Sequence, residues 1–140
     1  MSLPSQSIIP MLAYEDGAAA IDWLTGAFGF RERTRIEENG RIGHAELELN
    51  GAIVMLATPT PAYVGPRRHR EQCEQARKWS EVPYIIDGVL VYVEDLDAHF
   101  QQAKRAGATI LSEPEDTEHG IRHYRAEDLE GHRWMFAEEI

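Results

Sequence analysis

His44 and Glu46 stand two residues apart in RIGHAELEL (41–49). In an extended chain that spacing puts both side chains on one face. An imidazole beside a carboxylate can move a proton near neutral pH, so the pair is a candidate general acid/base. A hydrogen-bonded strand histidine leaves the same signature. Tyr124, in IRHYRAE (121–127), is a third candidate for proton transfer or hydrogen bonding. Met55 in AIVMLA (52–57) and Met135 in HRWMFA (132–137) each follow a glycine, Gly51 or Gly131, by four residues. Thioethers fill core volume, and they also adapt to flat or variable organic ligands. RAEDLEGHRW (125–134) resembles a catalytic run, but its carboxylates and glycine read more simply as a turn that pairs two strands.

The elements that must position these groups come as a repeat. AYEDGAAAIDWLTGAFGF (13–30) and YVEDLDAHFQQAKRAGATI (92–110) each run strand, Glu-Asp, amphipathic helix, glycine, strand. Asp16 and Asp95 are expected N-caps. Ile21 and Phe100, then Leu24 and Ala103, fall on core-facing helical positions. Gly29 and Gly107 sit where a left-handed helix stop is expected. Downstream, FRERTRI and RIGHAELEL flank EENG, and Asn50-Gly51 is a hairpin signal. ATILSE and IRHYRAE flank the looser PEDTEHG. Counting back seven residues from Gly51 and Gly131 pairs His44 with Tyr124. Each half therefore reads β-α-β-β-β, the first over 7–57 and the second over 84–138. Strands are expected at 84–94, 121–126 and 132–137. Between the halves lies a 58–83 linker with TPTPAYVGP and a helix over about 67–79. The fold class is α+β: two tandem modules whose uncovered sheet faces are expected to form a cup, within one domain spanning 1–140.

Length and composition narrow the function. At 140 residues the chain can bury a core without staples. No apolar run nears the roughly 20 residues that span a bilayer, and MSLPSQS lacks the basic and apolar regions of a secretory signal. A lone Cys73 has no partner for an internal disulfide, so a reducing cytoplasm is expected. Net charge is −10, from 24 acidic and 14 basic residues, which makes nucleic acid a poor partner. RRHREQCEQARK (67–78) runs against this trend with five basic and two acidic residues, leaving 22 acidic against 9 basic elsewhere. Its plain reading is a solvated helix face.

Paired modules with YEDGAAAIDWLTGAFGF and YRAEDLEGHRWMF resemble the glyoxalase/bleomycin-resistance/extradiol-dioxygenase superfamily, the vicinal oxygen chelate proteins, over residues 7–138. The second segment looks like that superfamily's phosphonate-metabolism-protein-like branch. The resemblance implies metal ligands at a histidine seven residues before each capping Asp and at a glutamate four residues after each turn glycine. Those places hold Ile9, Gly88, Met55 and Met135. None is a ligand for a hard or borderline cation. The expectation is no cofactor, with a divalent metal disfavoured.

If Ile9 and Gly88 face inward, strand parity brings Met11, Leu90 and Tyr92 with them, and Met55 and Met135 bring Ile53 and Arg133. Trp134 and Phe136 turn onto the helix, as do Ala45, Leu47 and Leu49. Ile42, His44, Glu46 and Glu48 then face the cup, and the repeat places Arg122 and Tyr124 on the matching side. The candidate ligand-binding set is Met11, His44, Met55, Tyr92, Arg122, Tyr124 and Met135. The leading expectation is a metal-independent binder that sequesters a small organic molecule of antibiotic type, cationic or aromatic. The resemblance implies a homodimer. The alternatives are a metalloenzyme of the glyoxalase-like lyase, isomerase or dioxygenase kind, and a metal-free acid/base enzyme using His44 with Glu46 or Tyr124.

Overall fold

The computed structural model describes residues 4–82 and 87–140. Its contacts divide the chain into two compact units, Met1–Tyr63 and Val64–Ile140. The first unit runs β1 (Met11–Ala13), α1 (Gly17–Phe28), β2 (Arg31–Glu38), β3 (Arg41–Leu49) and β4 (Ala52–Ala57). The second opens with α2 (Pro66–Gln72) and α3 (Glu74–Ser80). It continues with β5 (Gly88–Tyr92), α4 (Leu96–Arg105), β6 (Thr109–Asp116), β7 (Ile121–Glu127) and β8 (Arg133–Glu139). Each unit holds a four-stranded sheet of the same topology, in the orders β1-β4-β3-β2 and β5-β8-β7-β6. The first strand of each module runs parallel to the last, and the other pairs are antiparallel. The α+β architecture of two βαβββ modules is thus as the repeat predicts. Of the strand expected over 84–94, positions 84–86 lie outside the described residues.

Local chemistry explains the repeat. Asp16 accepts from the Ala19 amide at 3.0 Å and Asp95 from the Ala98 amide at 3.1 Å, so both helices start on a side-chain cap. Gly29 at φ 84 and Gly107 at φ 99 provide the left-handed exits. Ile21, Leu24, Phe100 and Ala103 are buried beneath them. The helix-side core of the second sheet is aromatic: Tyr124, Trp134 and Phe136 are all buried, and the Phe136 and Tyr124 rings lie 5.3 Å apart. Glu138 also faces that side, where its carboxylate accepts from the Leu96 amide at 2.7 Å.

Three expectations give way to the structure. The linker helix expected over 67–79 is two short helices, broken at Cys73, whose backbone is extended (φ −133, ψ 116). β6 continues through Pro114 to Asp116, so the turn is 117–120 rather than PEDTEHG. Pro114 is tolerated because β6 is an edge strand. Ile42 does not share a face with His44. Ile36 pairs with His44 but Glu37 with Ile42, which leaves Gly43 as an extra residue in β3. This bulge reverses the alternation. Ile42 is consequently buried on the helix side, so close that a Cβ on Gly17 would lie 2.7 Å from its own Cβ.

Among the described residues no helix is long and apolar enough to cross a membrane.

Candidate functional site

On the first sheet, the face away from α1 carries the expected constellation. Met11 pairs with Met55, and Met55 with Glu46, across β1, β4 and β3. His44 lies next along β3, and its Nε2 is 3.1 Å from the Glu46 carboxylate. Met11, Met55 and His44 together line a cavity of about 100 Å³, with Gly43 and Ala57 at its wall. Met11 is 80% exposed, so this face is accessible at the sheet edge. Four of the sequence candidates, Met11, His44, Glu46 and Met55, are thus gathered in one place.

The second sheet differs. Leu90 pairs with Met135 and Met135 with Arg125, while Tyr92 pairs with Ala137 and Ala137 with His123. Tyr92 and Met135 therefore lie on the face away from α4, as expected. Arg122 and Tyr124 do not. Tyr124 is fully buried on the helix side, with its hydroxyl 2.7 Å from Nδ1 of His99 on α4. Burial pushes its phenol well above the ordinary value. Arg122 turns the same way and bonds Asp97 of α4 at 3.1 Å and Asp116 at 3.0 Å.

The cause is one residue. In the first module Leu49 pairs with Ala52 across a two-residue turn, Asn50-Gly51, both at positive φ. In the second, Glu127 pairs with Arg133 across the five residues 128–132. Gly131 therefore lies one residue further from its strand than Gly51 does, and a slip of one residue exchanges the two faces of a strand. The true counterparts of His44, Glu46 and Glu48 are His123, Arg125 and Glu127. Spacing alone hid them; the legible hint was the length of EDLEGH compared with NG.

The longer turn is held by Asp128, whose carboxylate accepts from the Glu130 and His132 amides at 3.0 Å and from the Trp134 indole at 3.1 Å. RAEDLEGHRW is thus a strand-pairing device. Beside it Glu127, 2% exposed, takes a bidentate bond from Arg70 at 2.7 and 2.8 Å and a further bond from Arg133 at 3.3 Å. Burial would raise this carboxyl, but the hydrogen bonds and charge of Arg70, with the charge of Arg133, outweigh it and hold Glu127 below its ordinary value. Arg67 bonds the carbonyls of Asp128 and Leu129. Arg133 bonds those of Ser80 and Val82. The basic segment 67–78 is therefore not simply a solvated face: Arg67 and Arg70 dock α2 onto the end of the second sheet.

His123 is 6% exposed, and its Nδ1 is buried with no hydrogen-bond partner among the described residues. Burial first, then the nearby Arg125 charge, lower its pKa from the ordinary 6.5, with Glu115 opposing.

The places where metal ligands would fall do not fit a divalent cation. Met55 and Met135 offer only thioethers. A Cβ on Gly88 would meet the Arg133 carbonyl oxygen at 3.1 Å, so the backbone there leaves little room for a histidine.

Two sheets of this topology, each bearing one helix and each written by the same sequence repeat, define a paired-βαβββ protein. The chain belongs to the Glyoxalase/Bleomycin resistance protein/Dioxygenase superfamily, whose model matches residues 9–136. It is 32% identical over 139 residues to an uncharacterized protein of Mycobacterium bovis, covering 96% of this chain and 84% of that one. Among solved structures it is similar to TioX from Micromonospora sp. ML1, with a TM-score of 0.70, 32% identity, and coverage of 96% and 97% of the two chains. A glyoxalase/bleomycin resistance protein/dioxygenase family enzyme from Burkholderia phytofirmans PsJN shares the fold. Its TM-score is 0.63 at 17% identity, covering 93% of this chain and 95% of that one.

Proposed function

We propose that this protein binds and sequesters a small organic molecule of antibiotic type, cationic or aromatic, without a metal. It would do so as a cytoplasmic homodimer, in the manner of bleomycin-resistance proteins. The observation that carries this reading is the matched replacement of both expected carboxylates by Met55 and Met135 at corresponding places on the two sheets. On the first sheet Met55, Met11 and His44 already surround a small cavity, with Glu46, and Glu48 paired to Arg31, on the same face. Thioether and aliphatic walls suit a flat ligand of variable outline, and the carboxylates suit a cationic substituent. The closing YRAEDLEGHRWMF supports the phosphonate-metabolism-protein-like branch as its place within the family.

Titration calorimetry with basic glycopeptide, peptide and quinone antibiotics tests the reading. Saturable heat that Met55→Ala weakens is the expected result. Absence of heat across the panel, or stoichiometric zinc, nickel, manganese or iron held by protein purified without tag or chelator, would overturn it.

The His44–Glu46 contact of 3.1 Å supports a second reading, metal-free acid/base chemistry. Glu46 would accept the Nε2–H and leave Nδ1 to take a proton from a bound substrate. A His44→Ala variant that folds and keeps full turnover would remove that role.

A further inference from the structure

The first sheet brings two thioethers and an imidazole to one small cavity. Met11 and Met55 pair directly across β1 and β4, which puts their side chains on one face of strands about 4.8 Å apart. His44 follows on β3, two residues from the Glu46 that pairs with Met55, and all three residues line the cavity of about 100 Å³. The face is open: Met11 is 80% exposed, and Met55 and His44 are half-buried. A methionine that only fills core volume is enclosed, as Leu47 and Val54 are on the other face of the same sheet. What methionine adds to an open face, over leucine, is a polarizable sulfur with lone pairs.

The imidazole is held as a ligating histidine is held. Its Nε2 lies 3.1 Å from the Glu46 carboxylate, and an ionised carboxylate only accepts, so in the neutral ring Nε2 carries the hydrogen and Nδ1 keeps the lone pair. A carboxylate behind the ring fixes the tautomer and raises the basicity of the nitrogen left for a metal. Donor type then selects the ion. Two thioethers and one imidazole form a soft set, mismatched to magnesium or calcium and matched to copper(I). Among the described residues no group of three His, Cys, Asp or Glu is placed to hold a metal ion. The cavity is a few times the roughly 30 Å³ that a water molecule occupies, which is room enough for an ion.

We propose that Met11, Met55 and His44 together bind one soft monovalent cation, copper(I). Glu46 is a positioning residue, acting through His44 rather than on the ion. The site goes beyond the sequestration reading, because the organic ligand proposed above needs no ion; the two are alternative occupants of one cavity. Absence of heat with the antibiotic panel leaves the ion site standing, and a failed ion titration leaves the panel's result intact.

The test is a titration of the full chain with silver(I) nitrate in chloride-free buffer, silver serving as the redox-inert counterpart of copper(I). The methionine methyl and His44 ring signals are followed by NMR. Cys73, a free thiol of the other unit, would compete as a soft donor, so the chain carries Cys73→Ser. Expected are shifts of the Met11 and Met55 methyls and the His44 ring that saturate together at one equivalent. Met135, a thioether of the second sheet that pairs with Arg125, should not move, and zinc(II) should leave all these methyls in place. Met55→Leu and His44→Phe are each expected to weaken silver at least tenfold, while Met135→Leu leaves it unchanged. Unmoved Met11 and Met55 methyls overturn the site, as does Met135 responding as strongly as Met55, or zinc matching silver. A Met55→Leu variant with a native amide spectrum and undiminished silver affinity overturns it equally. That swap nearly conserves volume, and the comparison of Met55 with Met135 in the Cys73→Ser chain decides the matter if it does not fold.

Discussion

His44 on β3 and His123 on β7 occupy matching places on two sheets of identical topology, yet their neighbours carry opposite charge. The first histidine touches Glu46; the second lies beside Arg125, and burial, then that charge, lower its pKa. One step further along the same strands, Glu48 bonds a largely exposed Arg31, whereas Glu127 is enclosed by Arg70 and Arg133. The two modules thus share a scaffold and a histidine, and diverge in what surrounds it: two half-buried carboxylates, Glu46 and Glu48, on one sheet, and Arg125 with a Glu127 braced between two arginines on the other. The strand order and the helix caps are the same in the two modules, while the charged rows differ.

The largest test of this difference is removal of the matching carboxylates. Glu127→Gln leaves two arginines partly or wholly buried without their partner, and should cost about 3–5 kcal/mol in urea unfolding. Glu48→Gln loses an exposed pair, and should cost about 0.2–1 kcal/mol. Equal losses would mean that the bracing of the second sheet has been misread.

Gly17 offers the next contrast. In the first module it sits against Ile42, which the Gly43 bulge has turned inward; the corresponding place in the second module holds a buried Leu96. Gly17→Ala should overpack that contact and lower stability by about 1–3 kcal/mol. Pairing it with Ile42→Ala should recover part of the loss relative to the sum of the single variants, in a double-mutant cycle.

Acid sharpens the comparison further. The folded pKa of His123 is depressed, so its contribution to stability is present above the unfolded value near 6.5 and is lost as pH falls through the lower folded value. Stability measured from pH 7 downward should fall in that window for the wild type, and fall less steeply for His123→Gln. Glu127, also depressed, acts in a lower window: its contribution is present above its ordinary 4.5 and is lost as pH drops through the folded value. The smallest effect concerns Tyr124→Phe, which keeps the stacked ring and loses one hydrogen bond to His99. About 0.5–1.5 kcal/mol is expected, with no change in ligand affinity measured by calorimetry. A lost affinity would return Tyr124 to the binding face.

What could be read from the residues alone follows a physical line. Asp16 and Asp95 announced their helices because a cap is a local bond between neighbours in sequence. Met55 and His44 are legible on one face because β3 and β4 meet through Asn50-Gly51, a turn whose geometry the residues dictate. Tyr124 and Arg122 were misplaced because strand parity is inherited from the preceding turn, and the five-residue loop around Asp128 has no fixed length signature. Ile42 was misplaced for a related reason: a bulge at Gly43 resets the count without any demanding residue. Cys73 interrupts the linker helix, and nothing in the structure explains the break. The Arg70–Glu127–Arg133 cluster spans more than fifty positions, so no local pattern could reveal it.

The loop over 128–132 therefore selects which side chains of β7 lie on the face away from α4. Deleting one residue from it, with the strands otherwise intact, would turn β7 over and present Tyr124 and Arg122 in place of His123 and Arg125.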